Sequence, residues 1–99
     1  MVVVLAKIFT KPEHSDEVAG LFRDMVAWVQ ANEPGTLTYA CNRTAADPSV
    51  FVFFERYRDQ EAFQAHSASA RFAELAGSLG GKLSAPFELT MMDEVAAKL

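Results

Sequence analysis

Apolar and polar residues follow two different periods along the chain, and each change of period marks a new element. Residues 2–10, 36–43, 50–57 and 85–94 are β-branched, aromatic or alternating, which predicts four strands. Between them, apolar residues recur every three or four positions. That spacing predicts one long helix after the first strand and two short helices after the third. The predicted order of elements is therefore βαββααβ.

Capping residues set the predicted limits of the three helices. Ser15 is the predicted N-cap of the first helix, which should end near Asn32 because a Pro-Gly pair follows. Asp59 is the predicted cap of a short helix that runs through His66. Ser69 is the predicted cap of the third helix, which a Gly-Gly pair ends.

The predicted sheet is apolar on both faces in at least two of its strands. In the third strand, Phe51 and Phe53 point to one face, whereas Val50, Val52 and Phe54 point to the other. In an α+β, ferredoxin-like fold with a four-stranded antiparallel sheet, helices cover only one face. The second face would be too apolar for a monomer, so we expect a homodimer in which two sheets stack. The alternative is that terminal segments fold over this face.

Length and charge narrow the choice of partners. The 99 residues predict a single domain, residues 1–99, with a net charge of −4. The nine Lys and Arg residues are scattered, so we expect no nucleic acid partner. No segment approaches the roughly 20 apolar residues of a membrane span, so we expect no membrane partner. A single cysteine, Cys41, and a first segment without a basic region favour a cytoplasmic location.

The sequence contains no motif that is typical of a metal site or a cofactor site. His14, Cys41 and His66 fall in different predicted elements and lack the spacing of metal ligands. The only glycine pair, Gly80-Gly81, follows a helix rather than a strand, unlike a phosphate-binding loop. We therefore expect neither a metal nor an organic cofactor.

His66 carries the side chain best suited to move a proton near neutral pH. It shares a helix face with Phe63, three residues earlier, and should lie at the boundary of the core. Trp28 lies off the main apolar stripe of the first helix, where it would line a pocket rim. Tyr57 and Arg71 would add polar groups that orient a ligand. Ordinary core packing is the alternative for His66 and for most of the aromatic residues.

Residues 54–72, with the sequence FERYRDQEAFQAHSASARF, resemble the signature of the antibiotic biosynthesis monooxygenase family. In that family a Glu and an aromatic residue end the third strand, a His ends the next short helix, and a Ser begins the helix after it. The turn Glu33-Pro34-Gly35-Thr36 also resembles the family's turn into strand two. The resemblance implies a dimeric α/β barrel.

The resemblance also implies a reaction. Members of the family include oxygenases that use neither metal nor flavin and oxidise anthrones, quinols and related phenols with O₂. On this interpretation His66 is the base, Tyr57 and Arg71 orient the small aromatic substrate, and four aromatic residues line the pocket: Phe53, Phe63, Phe72 and Trp28. Tyr57 stands where the family usually has Trp, and Arg71 where a second His is frequent.

Two other functions stay open at this point. One is a small-molecule-binding or stress-response dimer without turnover, and the other is an isomerase that uses His66 for proton transfer without O₂. The haem-degrading relatives are not expected, because they carry a Trp at the position of His66 and a catalytic His at that of Ala76. The natural substrate stays open.

Overall fold

Four strands and three α-helices follow one another along the chain, which a computed structural model describes over all 99 residues. The strands are β1 (Val2–Phe9), β2 (Thr36–Arg43), β3 (Val50–Tyr57) and β4 (Glu88–Asp93). The helices are α1 (Ser15–Asn32), α2 (Gln60–Ser67) and α3 (Ala70–Ser78), and a short 3₁₀ turn, Pro12–His14, precedes α1. The predicted order βαββααβ and the α+β, ferredoxin-like class are confirmed.

The strands form one antiparallel sheet in the order β2-β3-β1-β4. Ala6, in the middle of β1, lies opposite Phe53 of β3 on one side and Leu89 of β4 on the other. The last strand begins at Glu88, so the predicted start at residue 85 is wrong. Pro86 lies in that stretch and has no N–H to offer a neighbouring strand.

The core lies between the sheet and α1. The Phe22 ring contacts the edges of two strand residues, with its centroid 5.2 Å from that of Phe51 and 4.9 Å from that of Phe53. Such edge-to-face pairs add about 0.5–1.5 kcal/mol each beyond the buried area. The other core residues come from β1, α1 and α3: Ala6, Ile8, Val18, Ala19, Met25, Val29 and Leu75.

Two of the three predicted helix caps are confirmed. The side chains of Asp59 and Ser69 accept hydrogen bonds from the third backbone N–H of α2 and of α3, those of Ala62 and Phe72. Ser15, in contrast, is the first residue of α1 rather than its cap. Its hydroxyl bonds to the Thr10 hydroxyl at 2.8 Å and to the Lys11 carbonyl at 3.2 Å, because the 3₁₀ turn has already redirected the chain.

In β1 and β3, the face of the sheet away from the helices is mostly apolar, as predicted. Leu5 and Phe54 lie opposite each other on it and are 36% and 38% exposed. The C-terminal segment covers only one end, where Glu94 pairs with Arg56 at 2.7 Å. Val95 and Leu99 stay almost fully exposed, so the tail does not cover the rest. None of the helices has the length and apolar composition needed to cross a membrane.

Candidate active site

A cavity of about 280 Å³ lies between the sheet and the helices α2 and α3. Its volume is at the lower end of the range for small-molecule sites, roughly 300–1,000 Å³. It opens towards β4, where Phe87 and Leu89 are about half exposed. Twelve of the fifteen lining residues are hydrophobic, and the other three are Glu55, His66 and Ser67. The full lining is Ala6, Ile8, Phe22, Tyr39, Phe53, Glu55, Phe63, His66, Ser67, Phe72, Leu75, Ala76, Leu79, Phe87 and Leu89.

His66 forms part of the cavity wall near the end of α2, and it is more buried than predicted. Only 3% of the residue is exposed, because its ring packs among three aromatic rings. Their centroids lie 5.0 Å (Tyr39), 5.5 Å (Tyr57) and 5.3 Å (Phe72) from that of the imidazole. The ring is therefore a core residue as well as a cavity residue, and not a boundary residue.

Glu33 fixes the orientation of this imidazole. The Nδ1 atom of His66 lies 2.8 Å and 3.1 Å from the two carboxylate oxygens of Glu33, 33 residues away in the sequence. The Thr36 hydroxyl donates a further hydrogen bond to Glu33 at 2.7 Å. An ionised carboxylate can only accept, so Nδ1 carries a proton, and this tautomer places the lone pair of an uncharged imidazole on Nε2.

The turn that carries Glu33 packs tightly against α2. A Cβ added at Gly35 would lie only 2.8 Å from the Cβ of Ala62. Glycine at this position therefore lets α2 approach the turn closely enough for His66 to reach Glu33. The Pro-Gly turn that ends α1 therefore also positions Glu33 against His66.

The second nitrogen of His66 has no protein partner. Both hydrogen bonds of the side chain use Nδ1. Every side-chain nitrogen or oxygen that is sealed from solvent has a hydrogen-bond partner. Nε2 must therefore border open space. His66 lines both the apolar cavity and the polar surface groove that contains Glu33, so its ring separates the two.

Glu55 brings a second ionisable group to the same cavity. The residue is 6% exposed, and the hydroxyl of the fully buried Tyr57 donates to its Oε1 at 2.5 Å. Burial raises the pKa of Glu55, although the Tyr57 hydrogen bond and nearby His66 oppose that shift. Burial, and then the charge of Glu55, raise the pKa of Tyr57, whose hydroxyl therefore stays protonated.

Tyr39 adds a phenol to the wall beside His66. Its pKa is raised, first by burial and then by the carboxylates of Glu55 and Glu33. The hydroxyl makes no hydrogen bond within the protein. Because every polar side-chain atom that is sealed from solvent has a partner, this hydroxyl is not sealed from solvent. Tyr39 lines both this cavity and a depression between α1 and β2, so its hydroxyl is a protonated donor that borders open space.

The structure brings together most, but not all, of the residues that the sequence singled out. His66, Phe53, Phe63 and Phe72 line the cavity. Tyr57 lies behind this wall, its ring 5.3 Å from that of Phe63, and reaches the cavity only through Glu55.

Trp28 and Arg71 lie outside the cavity. Trp28 lines the polar surface groove on the other side of His66, together with Glu33 and Arg58. The Arg71 side chain is 22% exposed and lies 3.9 Å from Glu74 on its own helix. In the single chain, neither side chain is placed to touch a ligand in the cavity.

Sequence reasoning missed three residues of this site: Glu33, Tyr39 and Glu55. The strand alternation held a signal for the last of them, because Glu55 shares a face with Phe51 and Phe53. A carboxylate on the apolar, helix-covered face of a sheet costs free energy unless it is paired or protonated. Glu33 carried no such signal, since its partner comes from a distant element.

A larger depression of about 520 Å³ lies between α1 and β2, but it offers less chemistry. Its polar side chains, those of Arg23, Gln30 and Arg43, are all exposed, and Arg43 pairs with Asp16 at 2.9 Å. Burial raises the pKa of the Cys41 thiol to about 11, so it is not a thiolate near neutral pH. In the whole structure, no three His, Cys, Asp or Glu side chains cluster as metal ligands would.

Comparison with known proteins gives a consistent result. Residues 1–77 match the family described as "Antibiotic biosynthesis monooxygenase". The chain is 28% identical over 89 residues to "Putative monooxygenase YcnE" of Bacillus subtilis (strain 168), covering 90% of this chain and 93% of that protein. A crystal structure described as a "putative antibiotic biosynthesis monooxygenase" from Caulobacter crescentus CB15 superposes with a TM-score of 0.91 at 26% identity, covering 96% of this chain and 90% of that one. Another, described as "antibiotic biosynthesis monooxygenase", gives a TM-score of 0.89 at 32% identity, covering 97% and 100%.

Proposed function

Because the chain belongs to the antibiotic biosynthesis monooxygenase family, we propose that it is a cofactor-independent monooxygenase of a quinol, an anthrone or a related polyphenol. The observation that carries this proposal is the His66–Glu33 pair, which lies in the wall of an apolar cavity and leaves Nε2 without a protein partner. A neutral imidazole held in one tautomer by a carboxylate is a competent general base.

The proposed reaction begins with removal of a proton from the substrate by Nε2 of His66. The Glu33 carboxylate then stabilises the imidazolium through the hydrogen bond at Nδ1. The electron-rich substrate anion passes one electron to O₂, and the two radicals combine to form a C–O bond. Cleavage of the O–O bond and loss of water leave a new carbonyl group. Overall AH₂ + O₂ gives A=O + H₂O, so the substrate supplies all the electrons.

The remaining wall residues have roles suited to this chemistry. The rings of Phe53, Phe63 and Phe72 hold an aromatic substrate and exclude water, which protects the anion and the peroxide. Tyr39 donates its free hydroxyl to the substrate oxygen on which negative charge develops. The volume of about 280 Å³ favours one- or two-ring substrates over three-ring anthrones.

The proposal includes a homodimer. Leu5 and Phe54, each more than a third exposed, belong to an outer sheet face that the tail leaves largely uncovered. A second copy that stacks its own outer face on this one would remove both from water. The cavities would then lie on the two opposite sides of the assembly, since each cavity is on the helix side of its sheet.

An isomerase is the second candidate, and one observation favours it. Two ionisable groups, His66 and Glu55, line one cavity. A pair of this kind can take a proton from one carbon and return it to another without O₂. A binding protein without turnover would need only the apolar wall, and the buried His66–Glu33 pair argues for more than that.

Oxygen uptake tests the proposal against these alternatives. The purified chain, treated with a chelator, is mixed with a panel of phenols, hydroquinones and anthrones under ¹⁸O₂. We expect O₂ consumption with one ¹⁸O atom in each product carbonyl and the other in water. Turnover that continues without O₂ would identify an isomerase, and ligand binding without product would identify a binding protein.

A further inference from the structure

Glu55 is the one buried carboxylate whose burial the proposed role of His66 does not explain. It projects from β3 towards the helices, in the floor of the cavity that α2 and α3 cover. It is 6% exposed and forms no ion pair with any Lys or Arg. Burying a carboxylate without a cationic partner is costly, so a purely structural role would favour an uncharged residue here.

One oxygen of this carboxyl group is free. The Tyr57 hydroxyl binds Oε1, whereas Oε2 makes no hydrogen bond. Every side-chain oxygen that is sealed from solvent has a partner, so Oε2 is not sealed and borders the cavity that Glu55 lines. Two residues that line the cavity from different elements therefore each carry an unpartnered atom: His66 of α2 at Nε2, and Glu55 of β3 at Oε2.

The geometry points to Glu55 as a second catalytic residue, which protonates the substrate peroxide and then removes the remaining hydrogen from the oxygenated carbon. This assignment rests on the proposed monooxygenase function. The proton transfers are then divided between two groups. His66 removes the proton that forms the substrate anion, and Glu55 carries out the proton transfers that convert the peroxide to the carbonyl product.

The proton balance closes over one turnover with these two groups. His66 takes the first substrate proton, and the anion and O₂ form a C–O–O⁻ peroxide. The Glu55 carboxyl protonates the peroxide, and its carboxylate then takes the second hydrogen from the same carbon as a proton. The electron pair of that C–H bond forms the carbonyl while the O–O bond breaks. The departing hydroxide takes the proton from His66 and leaves as water, so both residues return to their starting states.

The raised pKa of Glu55 supports this role, since a carboxyl that stays protonated to higher pH is a better donor. The groups that face it are Tyr57 on its own strand, Tyr39 on β2, His66 on α2 and Glu33 at the end of α1. Of these, the Tyr57 hydrogen bond and His66 lower the pKa, and Glu33 raises it.

The substrate class follows from the second step. The carbon that receives oxygen must carry a hydrogen for Glu55 to remove. A phenol that is unsubstituted at this position can be converted to a quinone. A phenol with an alkyl group there would accumulate the peroxide or release reduced oxygen instead.

The test measures coupling, defined as quinone formed per O₂ consumed, in the full-length protein. Glu55→Gln keeps an oxygen for the Tyr57 hydroxyl but can neither donate nor remove the proton. We expect quinone formation to fall by roughly 10²–10⁴-fold, while substrate binding is kept and the residual O₂ consumed appears as superoxide or H₂O₂. Glu13→Gln, an exposed change in the 3₁₀ turn, is the matched control and should keep the coupling of the original protein.

Tyr57→Phe provides a second variant if Glu55→Gln does not fold. It removes the hydrogen bond that lowers the pKa of Glu55. The high-pH limit of coupled turnover should therefore move to higher pH, an effect that a structural role for Glu55 would not produce.

The other possible results would each argue against the catalytic role of Glu55. If the original protein consumes O₂ and Glu55→Gln retains its coupling and rate, Glu55 is not catalytic, although the proposed function stands. An unmoved pH limit in Tyr57→Phe leads to the same conclusion. If the original protein consumes no O₂ with any phenol, the proposed function fails and the role of Glu55 fails with it.

Discussion

Both faces of the sheet are mostly apolar along β1 and β3, but their buried polar residues have different partners. On the helix-covered face, Glu55 is buried beside an open cavity with one oxygen unpartnered. On the outer face, Arg56 is buried to a similar degree but donates from both Nε and a terminal nitrogen to Glu94. A satisfied buried ion pair stabilises or orients structure, whereas an unsatisfied group beside a cavity is available to a ligand. The proposed chemistry therefore belongs to the inner face, and the proposed dimer contact belongs to the outer face.

The largest expected effect is on the inner face, in His66→Ala. Activity should fall by roughly 10²–10⁴-fold, because the base is lost. The free energy of unfolding should also fall by about 1–3 kcal/mol, because the mostly buried Glu33 carboxylate loses a partner. Stopped-flow turnover and urea unfolding measure the two effects separately.

The other histidine of the chain is the matched control for this experiment. His14 makes an exposed pair with Glu17 at 3.0 Å, so His14→Ala should change stability by no more than about 1 kcal/mol and leave turnover intact. A folded His66→Ala protein with undiminished rate would remove the inner face from the proposed chemistry.

The next largest expected effect is loss of the dimer in the double variant Leu5→Glu and Phe54→Glu, which changes the outer face. If a second copy covers this face, the introduced charges would be buried against like charges, which costs several kcal/mol. Sedimentation at micromolar concentration should give about twice the 10.9 kDa chain mass for the original protein and the single mass for the variant.

Ala27→Glu, on the exposed side of α1, controls for the effect of added charge and should stay dimeric. An original protein that sediments as a monomer at this concentration would contradict the assembly role of the outer face. The inner-face chemistry is tested independently, because the cavity lies on the other side of the sheet.

A smaller effect is the pH dependence that Glu55 gives to stability. Its pKa in the folded protein is raised by burial, so the folded state holds this proton more tightly than the unfolded state. The contribution to stability is therefore complete below the unfolded pKa and is lost as pH rises through the folded pKa. Thermal melts across this window should show a decline that is absent in Glu55→Gln. Equal slopes in the two proteins would show that Glu55 is not held in a raised-pKa state.

The sequence predicted the fold better than the site, for physical reasons. Strand alternation and turn residues are local, and they gave β2 and β3 with the bounds that the structure has, 36–43 and 50–57. The His66–Glu33 bond joins residues 33 positions apart and depends on how closely α2 approaches a turn. No local pattern encodes that distance.

The rotation of a helix about its axis explains a second difference. Phe72 of α3 lines the cavity, and Arg71, one residue earlier, is turned away from it by about 100°. A motif that spans both positions does not say which of them faces inwards. Trp28 was likewise placed near the site, but it lines the groove beyond Glu33 rather than the cavity.

The smallest expected effect is that of Glu94→Gln at the edge of the outer face. The Glu94 side chain is 25% exposed and that of Arg56 only 6%, so solvent screens one partner of the pair much more than the other. The amide oxygen of Gln can still accept from Arg56, and only the charge is lost. We expect the free energy of unfolding to fall by about 0.5–1.5 kcal/mol, with a smaller loss at high salt. Turnover should be unchanged, because the pair lies on the face away from the cavity. A variant that lost activity while keeping its stability would show that the two faces are coupled, and the division of roles between them would then be wrong.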